Sequence, residues 1–391
     1  MNRREAFAKT CAHREPERVL VDFGKHIGSF HRLAYQRLRE YLADPLLPEE
    51  PVILDRMAQN IVIPERLCQR LGLDFRWLVP HWVGVQDIDL DGEPGYLDMW
   101  HTPFKWTGRG QYYFMAGHPL GKEDLSISDI THFDWPDPDQ PAMFAGLAEQ
   151  ARHWYENTDY VIGADGIKVG VLQIAAQLRG YDKIFLDFAL HPDLAHALLH
   201  RISELIQEMY RRYMRAVGKF VQVVVITDDM GTQESLLISP HMFRSFIKPY
   251  LKAWIEAIKS ETDAKVLMHC DGAIRPLIPD LIEIGVDILN PIQTVVKGFE
   301  DTFSLKEEFG DRIVFHGGID VQQVLPKGDP DSIAREVARR IYDLGRGGGY
   351  ILAPCHNISF DVPPANVVSL FESARRFGKY PLSPPEELAN S

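Results

Sequence analysis

The sequence predicts an α/β protein, a (β/α)8 TIM barrel with an aromatic- and Pro-rich insertion at about residues 80–140. Three observations carry that expectation. From Pro141 onward, short apolar runs alternate with helix-length amphipathic segments, a pattern that lays strands side by side in parallel. With two early runs and one near residue 170 the strands number eight, which favours a closed barrel over an open doubly wound sheet. Five apolar runs end in polar chemistry: VVVIT at Asp228-Asp229, VLMH at Cys270-Asp271-Gly272, VDILN at Pro291-Ile292-Gln293, then IVFHGGID and YILAPCHN. The carboxyl ends of buried parallel strands are where such folds place their active sites. No GxGxxG or GxxxxGK[ST] occurs to support the open alternative.

Residues 1–17 read as a polar helix stopped at Arg14-Glu15-Pro16, and residues 19–24 as the first strand with its glycine loop. A helix over about 31–42 places Ala34, Leu38, Tyr41 and Leu42 on one face. Residues 67–73 close another helix, ahead of a second strand at 75–79. Residues 80–140 change character, with many Trp, Tyr, Gly and Pro and short β-like pieces such as Gln111-Tyr112-Tyr113-Phe114. Prolines exclude a helix over 134–139. This region is expected to be an insertion or lid within a single domain, 1–391, its aromatics either flooring a pocket or packing on the barrel. Pro141 suits a first helical position. The expected order is then helix 141–156, a β region at about 160–174, and helices 180–188 and 191–217. Strands 221–227, 264–269, 286–290, 312–316 and 350–354 follow, with helices 240–260, 276–284, 330–345 and 364–377. The triplet Gly347-Gly348-Gly349 precedes a strand, so it is a turn at the far end of the barrel.

The 391 residues suit one large domain or two ordinary ones. The composition, 45% apolar and 25% charged, is that of a soluble globular protein. No apolar run approaches the roughly 18 residues of a membrane span, and the charged N-terminus lacks a signal-peptide core. A cytoplasmic location is therefore expected. A formal charge of −13 argues against nucleic acid, which needs a basic surface. The four cysteines show no CxxC pair and are expected to be reduced thiols. Cys270 and Cys355 stand apart because each ends a strand.

In a barrel the strand ends converge, which selects Asp228, Asp229, His269, Cys270, Asp271, Asn290, Gln293, His316, Asp320, Cys355, His356 and Asn357. Two chemistries fit this set. One is a metal site, with His269, Cys270 or Asp271, and Cys355 as ligands around an open position. On a regular strand His269 and Asp271 share a face and Cys270 takes the other, so His269 with Asp271 is the easier pair. The second is carboxylate chemistry, in which Asp228 and Asp229 raise one another's pKa and one becomes a general acid or base. The alternative for this pair is an N-cap on the following helix. His316-Gly317-Gly318 lets backbone approach a ligand closely, or simply turns tightly.

On these residues the sequence resembles the uroporphyrinogen decarboxylase superfamily. The likeness lies in ITDDMGTQESLLISPHMFRSFIKPY, KVLMHCDGAIRPLIPDLIEIGVDILNPIQ, DRIVFHGGIDVQQVLP and GGGYILAPCHNISFDVPPANVVSLFESARRFGKY. It implies a (β/α)8 barrel. Superfamily members include porphyrinogen decarboxylases and corrinoid-dependent methyltransferases. Decarboxylases carry an arginine-rich RQAGRYLPEY-type segment after the first strand; here that place reads DFGKHIGSFHRLAYQ. The methyltransferases resemble the chain better. Their zinc motif, His-x-Cys and a distant Cys, falls on His269-Cys270-Asp271 and near Cys355-His356, with Asp271 in place of one thiolate.

The resemblance implies a methyltransferase moving a methyl group from a small, O-methyl type substrate to a corrinoid (cobalamin) on a partner protein, with zinc assistance. His269, Asp271 and Cys355 would hold Zn2+, with Cys270 as the alternative ligand. Asp228, Asp229, His269 and His356 are the catalytic candidates, and Asn290, Gln293, His316 and Asn357 the substrate-binding ones. The partners expected are a small molecule and a corrinoid protein, with neither nucleic acid nor membrane; a homo-oligomer is compatible. Two other expectations stay open: a metal-free decarboxylase or lyase using Asp229 and His269, and a catalytically silent binding barrel.

Overall fold

The computed structural model describes residues 1–108, 112–167 and 170–384. Eight strands form the barrel: β1 (Leu20–Val21), β2 (Phe75–Leu78), β3 (Val161–Ala164), β4 (Val223–Thr227), β5 (Lys265–His269), β6 (Ile288–Ile292), β7 (Val314–Ile319) and β8 (Tyr350–Pro354). Each pairs in parallel with its neighbour, and β1 pairs with β8. The remaining seam, β1 to β2, closes through one residue. Asp74 donates its backbone N–H to the Val21 carbonyl at 2.9 Å, and its carboxylate accepts from Val21 N–H and Arg18 Nη1, both at 2.8 Å.

Strand parity sorts the core. Val223, Val225, Leu267, Ile288, Val314 and Ile351 form the barrel interior, joined by Phe75, Trp77 and, from the first helix (Arg3–Cys11), Ala6 and Phe7. The alternate residues Val224, Ile226, Val266, Met268, Leu289 and Leu352 pack outward in a second cluster shared with the helices. The next inward positions, one layer above the aliphatic plug, are Thr227, His269, Asn290 and His316. Register holds Thr227 beside His269 and His269 beside Asn290. A polar layer thus lies between an apolar plug and the C-terminal mouth of the barrel. Trp77 lies flat against Gly163, where a Cβ would meet its ring at 2.2 Å.

Residues 86–115 form a four-stranded antiparallel sheet: Gln86–Leu90, Glu93–Leu97, Pro103–Thr107 and Tyr112–Met115. Its first hairpin turns on Asp91 (φ 58°) and Gly92 (φ 84°), positive at both central positions as a two-residue turn requires. Of the expected QYYF strand, Gln111 lies outside the described residues. Several expected boundaries shift: the first helix ends at Cys11 rather than near residue 17, the first strand is only Leu20–Val21, and two elements change in kind. The β region at 160–174 stops at Ala164, and a helix, Val171–Arg179, takes its second half. The helix expected at 141–156 breaks at Gly146 (φ 75°) into a 3-10 turn, Pro141–Phe144, and a helix, Leu147–Asn157. No helix among the described residues is long and apolar enough to cross a membrane.

Candidate active site

At the C-terminal mouth, His269, Asp271 and His356 each offer a ligand atom, and these atoms lie within 4.8 Å of one another. His269 comes from the end of β5, Asp271 from the loop after it, and His356 from the loop after β8. The β5 loop fits because Gly272 (φ 96°) runs against the backbone of Gly231, where a Cβ would lie 2.4 Å from the Gly231 carbonyl carbon. His269 Nε2 is 3.7 Å from Asp271 Oδ2. Burial opposes charge on His269, yet Asp271 and Asp229 outweigh it and push its pKa up to about 9. Burial likewise opposes charge on Asp271, but His269 holds its carboxyl below the usual range. His356 is pushed down by burial. The cluster thus satisfies its anionic surroundings with a proton on His269.

Asp229 borders the cluster. Its Oδ1 accepts the Asp271 N–H and its Oδ2 the Gln173 side-chain amide, both at 2.8 Å. Burial, with help from Asp271, raises its pKa. Below the mouth a buried chain runs across the barrel: His269 Nδ1 to Asn290 Oδ1 (2.6 Å), Asn290 Nδ2 to His316 Nδ1 (2.8 Å), His316 Nε2 to Asp22 Oδ2 (2.8 Å). Lys25 Nζ and Trp77 Nε1 donate to the two Asp22 oxygens at 2.6 and 2.8 Å.

Above the cluster opens a cavity of about 710 Å³ whose walls are mainly apolar and aromatic, including Trp100, Phe104 and Tyr113 from the insertion and Met143. Among the described residues lining it are four carboxylates, Asp55, Asp98, Asp229 and Asp271, and no lysine or arginine. Asp98 is fixed by the backbone N–H groups of Trp100 and Thr102 at 2.9 Å, and burial raises its pKa. A second cavity of about 360 Å³, with Asn60, Gln293, Gln322 and Ser359 in its wall, shares Asp271, His356 and Asn357 with the first. The cluster therefore lies where a mainly apolar cavity meets a smaller, more polar one.

Several expected roles need correction. Asp228 is not in the cavity: its carboxylate accepts the backbone N–H groups of Leu172 and Gln173 at 2.9 Å. It does cap a helix, but one earlier in the chain, Val171–Arg179, and not the one that follows. Burial pushes its pKa up to about 7. Cys355 is not in the metal-competent cluster, because its thiol donates to the Ile292 carbonyl at 3.2 Å; the adjacent His356 takes that place. Cys270 faces the helix layer, its sulfur accepting Met230 N–H at 3.3 Å. Asn290 and His316 lie in the interior chain beneath the mouth and line neither cavity. Gln293 and Asn357 do reach cavity walls, held by Gly272 N–H (3.2 Å) and Ser29 N–H (2.8 Å). Asp320 caps a short turn through the N–H groups of Gln322, Gln323 and Val324.

Sequence reasoning missed Asp22, Lys25, Gln173 and the His26–Asp165 pair, in which His26 Nδ1 lies 2.6 Å from Asp165 Oδ1 at the cavity wall. A signal was available for Asp22 and Asp165: each follows an early strand end, as the later candidates do.

The family model for uroporphyrinogen decarboxylase (URO-D) matches residues 119–377. Among curated relatives, the uroporphyrinogen decarboxylase of Psychromonas ingrahamii is 23% identical over 291 residues, 72% of this chain and 77% of that one. The Pseudomonas aeruginosa enzyme of the same name is 24% identical, covering 86% and 95%. Among solved structures, a methyltransferase from Methanosarcina mazei superposes with a TM-score of 0.64 at 18% identity, covering 96% of this chain and 99% of that one. That likeness shows a shared fold. The chain belongs to the uroporphyrinogen decarboxylase family.

Proposed function

We propose that the protein is a methyltransferase that takes a methyl group from a small O-methyl substrate in the aromatic cavity and delivers it to a corrinoid carried by a partner protein. The observation that carries this reading is the His269, Asp271 and His356 cluster at the floor of a mainly apolar cavity. Two imidazoles and a carboxylate make a donor set of the kind catalytic zinc uses, with a further position left for substrate. The donor set fits the ion electrostatically too, since a cation would replace the proton that His269 now carries. When bound there, zinc supplies Lewis acidity at the ether oxygen and so improves the leaving group.

The chain's own residues do the rest. The aromatic walls exclude water and hold the substrate's apolar body. Asp229, whose pKa burial raises, borders the cluster and is the group placed to pass a proton to the departing oxygen, which leaves with the C–O electron pair. The smaller cavity offers the acceptor a separate approach to the same cluster.

The decarboxylase reading draws on the names of the relatives and on His269 with Asp229. The cavity wall opposes it, since among the described residues lining it there is no lysine or arginine to pair with a polycarboxylate substrate. Metal content of protein purified without chelator, followed by methyl transfer from an aryl methyl ether to added cob(I)alamin, tests the proposal. Near-stoichiometric zinc and transfer that stops in Asp271→Ala are expected. Zinc-free protein with no transfer would overturn it.

A further inference from the structure

We infer that Asn290, His316 and Asp22 are positioning residues that force His269 to carry its Nδ1 proton inward and to turn Nε2 toward Asp271 and His356. Every member is buried: Asp22 and His316 are 0% exposed, Lys25 1%, Asn290 2% and His269 3%. Beneath His269 the chain is closed to solvent, so each donor there must meet an acceptor within it.

Asp22 anchors the far end of the chain. Burial works against charge on Asp22, but Lys25 and His316 keep it ionised, well below the usual carboxylate range. An ionised carboxylate only accepts. His316 must therefore direct an N–H from Nε2 along the 2.8 Å contact with Asp22. Burial and the nearby Lys25 push the His316 pKa down to about 4, so the ring is neutral and its Nδ1 is a lone pair. That lone pair selects the amide nitrogen of Asn290 as its partner at 2.8 Å, which turns the amide oxygen to His269. At 2.6 Å an amide oxygen can only accept, so His269 Nδ1 must bear hydrogen. The remaining nitrogen, Nε2, is the one that faces Asp271 at 3.7 Å.

The chain joins four strand ends, after β1 and on β5, β6 and β7, so the orientation of one imidazole is set from across the barrel. With Nδ1 occupied, Nε2 alone can bind a cation or exchange a proton with the cavity. A ring in the other tautomer would present Nε2–H to the cluster and, while neutral, could neither bind a cation nor accept a proton there. The inference holds whether the cavity performs methyl transfer or another reaction, because it concerns the metal-free chain.

The test is the tautomer of His269 in full-length, metal-free protein labelled with 15N-histidine. Long-range 1H–15N spectra at about pH 10, with His269→Gln to assign the signal, should show hydrogen on Nδ1 in the wild type. Asn290→Asp retains an acceptor for that hydrogen and should keep both the signature and zinc affinity within about threefold. Asn290→Leu removes the acceptor; the signature should be lost and zinc affinity should fall about 10- to 100-fold. His316→Leu frees the amide to turn over and should yield a mixture of tautomers. Hydrogen on Nε2 in the wild type, or an unchanged tautomer and zinc affinity in Asn290→Leu, would overturn the inference. If Asn290→Leu does not fold, the wild-type tautomer and its retention in Asn290→Asp still decide the matter.

Discussion

Asp228 and Asp229 are consecutive, yet their carboxylates grip the same residue from two sides: Asp228 accepts the backbone N–H of Gln173, and Asp229 accepts its side-chain amide. One acid thereby builds the wall and the other faces the cavity. Asp228→Ala should cost about 1–2 kcal/mol of stability, as loss of a helix cap does, while leaving metal binding in place. Asp229→Asn should leave the melting temperature nearly unchanged and abolish most turnover. Thermal melts beside activity measurements separate the two, and an inactive but fully stable Asp228→Ala would reverse the assignment.

His356, rather than its neighbour Cys355, completes the cluster. Zinc titrated into the metal-free chain should bind wild type and Cys355→Ser alike, and bind His356→Ala at least about tenfold more weakly. Loss of zinc in Cys355→Ser with retention in His356→Ala would restore the thiolate site.

The environment of all four thiols disfavours the thiolate. Burial pushes Cys11 and Cys68 up to about 12 and raises Cys270 and Cys355 further. Since thiolate is the nucleophile, iodoacetamide at pH 8 should leave the native protein unmodified and label it fully in denaturant. Rapid native labelling of Cys270 or Cys355, read by mass spectrometry, would contradict this.

His316 makes stability depend on pH. Its folded-state value is about 4, against about 6.5 when unfolded, so in that window the unfolded chain binds more protons and stability falls as pH is lowered. Urea unfolding at pH 7 and pH 5 should differ by roughly 2 kcal/mol more in wild type than in His316→Gln. Equal differences would mean that His316 is already charged in the folded protein.

The acidic, aromatic cavity selects against anions. An uncharged methoxybenzene should raise the melting temperature, whereas a ring-carboxylated analogue or a porphyrin polycarboxylate should not. Stabilisation by the carboxylated ligands alone would point back to decarboxylation.

Much of this was legible because parity is local. Once β5 is a strand, His269 and Asp271 share a face and Cys270 takes the other, and the structure keeps that arrangement. The cap made by Asp228 was not legible, since its partners lie some 55 residues earlier and belong to a helix whose sequence looked like the end of a strand. The choice between Cys355 and His356 turns on how the chain leaves β8, one residue either way, and no periodicity governs a loop. The insertion's first hairpin went unread, although Asp91-Gly92 is a dipeptide suited to two positive φ values. Asp22 escaped notice because its partners, His316 and Trp77, come from distant strands.

The pairing of β1 with β8, Leu20 against Ile351 and Val21 against Leu352, sets a timetable for synthesis. The first strand leaves the ribosome some 330 residues before its partner, a delay of roughly 15–65 s at about 5–20 residues per second. Through that interval the growing sheet keeps two open edges, and Asp22 and Lys25 have no His316 to meet. The ring and its polar layer are completed together, by the last strands translated.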